Sequence, residues 1–159
     1  MKRILIFAIL TLTISCKKEK TNEENLIEKN EISNSKKGFE TKIILESFST
    51  FPPEIDGCSC YFSKDSIAFS KEEYIFANDF AETSFLKING KFIKFTQITK
   101  IDMKTYEKVK YQSEEYEMNL EVKQGKQNGE ETTLQSGKIK VKDKKGNEIE
   151  TKFYGECGC

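Results

Sequence analysis

Two Cys-x-Cys pairs, Cys58-Ser59-Cys60 and Cys157-Gly158-Cys159, stand far apart in this 159-residue chain. Any fold it adopts must either join the pairs or give four thiols a common task. On an extended strand, residues i and i+2 share a face and lie about 6.6 Å apart at ~3.3 Å rise per residue. That is at the edge of the Cα separations a disulfide spans, about 4.4–6.8 Å. Facing residues on antiparallel neighbours lie about 4.5 or 5.5 Å apart, well inside that range. Bonds between the pairs are therefore favoured over bonds within them. An antiparallel meeting of the two segments gives Cys58–Cys159 and Cys60–Cys157; a parallel one gives Cys58–Cys157 and Cys60–Cys159. Two rival uses compete for the same residues. A four-cysteine zinc site needs sulfurs about 3.8 Å apart, so both extended pairs would have to bend. A thiol redox site needs a depressed thiolate pKa, and nothing basic closely flanks either pair.

The compartment decides between these uses, because disulfides persist where the surroundings are oxidising. Residues 1–16 read Met-Lys-Arg, an apolar run ILIFAILTLTIS, and Cys16. A basic start, a short apolar core and a small residue before the break make the plan of a secretory signal peptide. The run falls short of the roughly 20 apolar residues that span a bilayer. Thr13-Ile14-Ser15-Cys16 resembles the lipobox of bacterial lipoproteins, departing from it at Thr13, where Leu is usual. The resemblance covers these 16 residues alone and implies cleavage before Cys16, which then carries the lipid. Several acyl chains on one residue would hold the protein firmly on a membrane. The expected plan is a signal peptide over 1–15, a lipidated N-terminus and flexible tether over 16–39, and a single β domain over 40–159. The tether, rich in Lys, Glu, Asn and Ser, has too few apolar residues to offset its ordering entropy. The expected location is the cell envelope, on the outer membrane, facing the periplasm or the cell surface.

Past residue 40 the dominant signal is alternation with period two. Tyr116, Met118, Leu120 and Val122 alternate with Glu117, Asn119, Glu121 and Lys123. Ile139 and Val141 lie among lysines, and Ile149, Thr151 and Phe153 follow the Lys144-Lys145-Gly146-Asn147 turn. Asn89-Gly90 favours a type I′ turn, since both central residues take positive φ. A two-residue loop sets Ile88 opposite Lys91, Leu86 opposite Ile93 and Ser84 opposite Phe95, giving one apolar face. Further strands are expected over 41–48, 58–63 and 74–78. Ser70-Lys71-Glu72-Glu73 has the form of a capping box and predicts a helical turn beginning there. Residues 102–112 fit helix and strand equally. The predicted class is mainly β: an antiparallel β-sandwich or small barrel of about seven to nine strands.

The chain contains no His, which excludes His-based triads, His metal sites and imidazole switches. Loss of Lys2 and Arg3 with the signal leaves 24 basic residues against 26 acidic ones. Such balance offers no pull toward nucleic acid. On the second face of the Asn89-Gly90 hairpin, Phe92 faces Lys87 and Phe85 faces Lys94. These four form a candidate binding surface for a glycan or an envelope protein, unless another element covers them. No arrangement of carboxylates, lysines or tyrosines argues for catalysis, and no cofactor is expected. The sequence therefore points to a non-catalytic envelope lipoprotein with a binding or structural role; the alternative is a metal-binding or thiol redox protein acting through its four cysteines. In plan alone it resembles the lipoprotein lysozyme inhibitors, with none of their binding motif matched and no residue carried over.

Overall fold

The computed structural model describes residues 42–159. Cys16, the signal segment and the tether over 16–39 lie outside the described residues. Nine strands run β1 (Leu45–Glu46), β2 (Ser59–Ser63), β3 (Tyr74–Asn78), β4 (Thr83–Ile88), β5 (Lys91–Met103), β6 (Tyr106–Gln112), β7 (Tyr116–Gln127), β8 (Thr132–Asp143) and β9 (Glu148–Gly158). One short helix, α1 (Ser66–Ser70), joins β2 to β3. Strands β2 to β9 form an antiparallel meander in which each pairs with the next, and β9 returns to pair with β2. The result is a closed eight-stranded barrel with β1 added outside the ring, beside β4.

Closure leaves no open edge in the ring and sorts alternate side chains inward and outward. The Asn89-Gly90 hairpin has the predicted register: Ile88 opposite Lys91, Leu86 opposite Ile93, Ser84 opposite Phe95. Asn89 and Gly90 both take positive φ, 50° and 82°. The ambiguous stretch 102–112 is strand and turn: β5 runs on to Met103 and β6 begins at Tyr106. The expected strand over 41–48 shrinks to two residues paired with β4, while Phe48 bridges singly to Tyr74. β3 already occupies β4 at Ser84–Leu86, so only Lys87 and Ile88 remain for β1. The predicted helix start at Ser70 is also corrected. Ser70 ends α1, and the cap is Asp65, whose carboxylate accepts N–H from Ile67 and Ala68 at 2.9 and 2.8 Å. Glu72, at φ 58°, turns the chain out of the helix and toward β3.

The inward positions away from the disulfides are packed with Phe62, Phe76, Phe95, Ile75, Leu86, Ile88, Met118, Ile139 and Val141, all nearly inaccessible. Ile43 and Leu45 join this cluster. Phe62 stacks between Phe76 and Phe153, with ring centroids 5.0 and 4.2 Å away. A glycine sits opposite each of two of these rings: Gly155 faces Phe62 and Gly137 faces Phe153. A Cβ on either would fall 2.8 Å from the facing ring and nearer still to a backbone carbonyl oxygen. The missing side chains are the space the rings lean into.

Outside the ring, loop 47–57 and α1 lay a second aromatic layer over β2 and β3. Tyr61, Phe69, Tyr74, Phe51 and Phe48 meet at centroid distances of 5.1–6.5 Å. Here Tyr61 donates to the Glu156 carboxylate. Burial first, and that hydrogen bond second, push the Tyr61 phenol well above its ordinary pKa. The outer faces of β6 to β9 carry cross-strand ion pairs such as Lys108–Glu121 at 2.9 Å and Lys138–Glu150 at 2.8 Å. Being exposed, each contributes little.

Candidate functional site

The closing seam of the barrel, β2 against β9, is where the cysteines meet. Cys60 pairs with Cys157 in register, and Cys58 lies beside Cys159 just beyond. Both are disulfides, Cys58–Cys159 and Cys60–Cys157, with Cα separations of 4.2 and 4.0 Å. The antiparallel alternative is the one realised. The sulfurs are consumed in these bonds, so this oxidised chain presents no thiolate from them to a metal or a substrate.

The bond Cys60–Cys157 points inward and borders a cavity of about 430 Å³ at the adjacent end of the barrel. Alternation brings the inward residues of successive strands to its wall. From β6 come Tyr111, Val109 and Glu107; from β7 Leu120, Val122 and Gln124; from β8 Thr133 and Gln135; from β5 Gln97 and Lys100. Asn78 at the end of β3 and Phe80 and Ala81 in the β3–β4 loop complete the rim. The wall is apolar low down and polar above. Val109 faces Leu120 and Glu107 faces Val122; one step further, Gln124 faces Gln135.

Some of these polar groups are already engaged. Asn78 Oδ1 accepts from the Cys60 and Phe80 backbone N–H groups at 3.0 and 3.2 Å. The Asn78 side chain also hydrogen-bonds the Tyr111 hydroxyl, which partly offsets the burial that pushes that phenol up to about 12. Lys100 Nζ lies 3.0 Å from Glu107, and Gln124 donates to Glu107 at 3.4 Å. Gln135 differs: it is 7% exposed and its Oε1 has no hydrogen-bond partner. Leaving a buried acceptor unsatisfied costs about 1–3 kcal/mol.

The candidate surface on the β4–β5 hairpin divides. Phe85 is buried, flanked by Ala77 on β3 and by Lys94, whose ammonium lies 6.0 Å from its ring centre. It is therefore not an exposed aromatic: Lys94 lies over its ring. Phe92 stays exposed, leaning edge-on against Phe48 at 5.1 Å, and Lys87 faces Glu46 at 3.9 Å. The four residues form no single open surface.

Sequence reasoning did not find the mouth. A local signal was the register of β7, where Tyr116, Met118, Leu120 and Val122 are followed on the same face by Gln124. Gln135 likewise continues the face of Ile139 and Val141, but Asn78 and Gln97 carry no such mark, and all of them meet only once the ring closes.

No family model matches this chain, and neither a curated protein nor a solved structure matches it. Among the described residues, no helix is long and apolar enough to cross a membrane, and no group of His, Cys, Asp or Glu is placed to hold a metal ion.

Proposed function

We propose that this chain is a membrane-anchored lipoprotein of the cell envelope, and that its barrel binds a small ligand at the disulfide-bordered mouth without transforming it. One observation carries the binding reading: the buried, unpartnered Gln135 Oε1 in a cavity of about 430 Å³. Ligand sites are concave and orient their ligands with placed polar groups; this one is concave and richer in polar groups than most. An eight-stranded barrel is about the size at which the interior either fills with side chains or holds one small molecule. Four of the polar wall residues are the amides Asn78, Gln97, Gln124 and Gln135, which hydrogen-bond but do not titrate. That chemistry suits holding a molecule better than moving protons.

The anchor rests on the basic start, the apolar run and Ile14-Ser15-Cys16. Cys16→Ser should abolish fatty-acid labelling and release the protein from the membrane fraction; unchanged labelling would overturn the anchor. For the mouth, native mass spectrometry of protein drawn gently from envelopes should reveal a small molecule bound one to one. Gln135→Leu should lose it. Retention of the molecule by that variant would overturn the binding site. Intact mass with alkylation should find no free thiol; four free thiols, or stoichiometric zinc, would favour the metal or redox alternative.

A further inference from the structure

Phe80 is the most unusual residue of the mouth. Its backbone sits in the left-handed region at φ 61°. For a bulky residue this is a strained outlier, and such strain gathers at ligand sites. The loop is built to hold it there. Phe80 N–H donates to Asn78 Oδ1 at 3.2 Å, and the Asp79 carboxylate accepts from Ala81 and Thr83 at 2.9 and 3.0 Å. The product is an aromatic ring 52% exposed to solvent on the rim of the cavity.

The same cavity is lined by the side-chain amides and the orphan Gln135 Oε1. The wall's charges are Lys100, Glu107 and Glu131, and Lys100 is spent on Glu107 at 3.0 Å. An anion would therefore meet no free cation. An acyl chain would leave the amides without partners, which disfavours its binding. A neutral sugar fits both halves: its C–H face covers an aromatic ring, and its hydroxyls donate and accept among amides. We propose that the mouth binds a short neutral saccharide, with one pyranose ring packed on Phe80 and a hydroxyl donating to Gln135 Oε1. This rests on the reading of the mouth as a ligand site.

The test is calorimetric titration of the full oxidised chain with cellobiose, maltose and N,N′-diacetylchitobiose, beside lauric acid and inorganic phosphate. At least one disaccharide should saturate a single site, and Phe80→Ala and Gln135→Leu should each weaken it tenfold or more. Phe80→Asn gives a control for folding. Asn tolerates positive φ, so this variant should unfold at a higher temperature while binding the sugar more weakly. Saturation by lauric acid or phosphate and by no sugar would overturn the saccharide proposal and leave the mouth as a ligand site. Binding of no probe would overturn the saccharide proposal too, and a molecule copurifying at the mouth would still uphold the site. Sugar binding unaltered by both Phe80→Ala and Gln135→Leu would place it elsewhere and overturn the proposal.

Discussion

The two halves of the barrel interior are built by the same strands and follow opposite rules. On β7 the inward face reads Met118, Leu120, Val122 and then Gln124; on β8 it reads Val141, Ile139, Gly137 and then Gln135 and Thr133. Toward the β4–β5 and β8–β9 turns the interior is apolar and fully packed. Toward the disulfides it opens, becomes polar and leaves an acceptor unpaired. Burial of apolar area stabilises at roughly 25 cal/mol per Å², so the packed half supplies most of the stability and the mouth supplies little. The covalent links sit at the weaker half. They fasten the seam between β2 and β9, a pairing of residues about a hundred positions apart.

That contrast is open to attack at several strengths. The largest effect should come from removing both disulfides, by alanine at all four cysteines. In the chain-entropy model, closing a loop of this length contributes roughly 4–5 kcal/mol. Because both bonds close almost the same loop, replacing Cys58 and Cys159 alone should cost a small fraction of that. Urea unfolding measures both, and two large additive losses would break the argument. Next, Met118→Ala in the packed half should lower stability by about 3 kcal/mol, the range for a fully buried large side chain, with ligand binding at the mouth unaltered. Ser84 lies inward against Phe95, and its hydroxyl has no hydrogen-bond partner. Ser84→Ala should therefore be neutral or stabilise by up to about 1 kcal/mol; a clear loss would show that the hydroxyl is engaged.

The smallest effect concerns pH. Burial tends to raise the Asp79 pKa, but hydrogen bonds, led by those from Thr83 and Ala81, outweigh it and set the value below the ordinary one. A depressed folded pKa stabilises above the unfolded value, about 3.9, and that contribution fades as pH falls through the lower folded value. The rim loop carrying Phe80 should hence loosen in acid, seen as faster amide exchange at Ala81 and Thr83. Asp143, at the opposite end, is also lowered, chiefly by its hydrogen bond from Asn147. Asp79→Asn at neutral pH isolates the rim: it should loosen the 79–83 loop and leave the 143–147 turn unchanged.

How much of this was legible in the sequence follows from how local each signal is. The Asn89-Gly90 register and the β7 alternation are set by neighbouring residues, and both are present as read. The cysteines named the seam before its topology was known, because only facing strands set Cα atoms at disulfide distance. The helix start was misplaced because Asp65 is the cap, Ser70 closes the helix, and the chain turns at Glu72. Phe85 stood as a candidate surface residue because no local pattern shows which outward positions are covered. The mouth was missed for the same reason, since its polar residues come from separate strands and share a space only after closure.

The central claim is that the mouth is polar for binding and not for stability. Thermal unfolding of Gln135→Leu tests it most directly. An apolar side chain there removes an unsatisfied buried acceptor and extends the packed half into the mouth. The melting temperature should rise, by about 4 °C per kcal/mol gained in a domain of this size, while ligand binding is lost. A melting temperature lowered as far as that of Met118→Ala would contradict the account, because Gln135 would then be holding the barrel together.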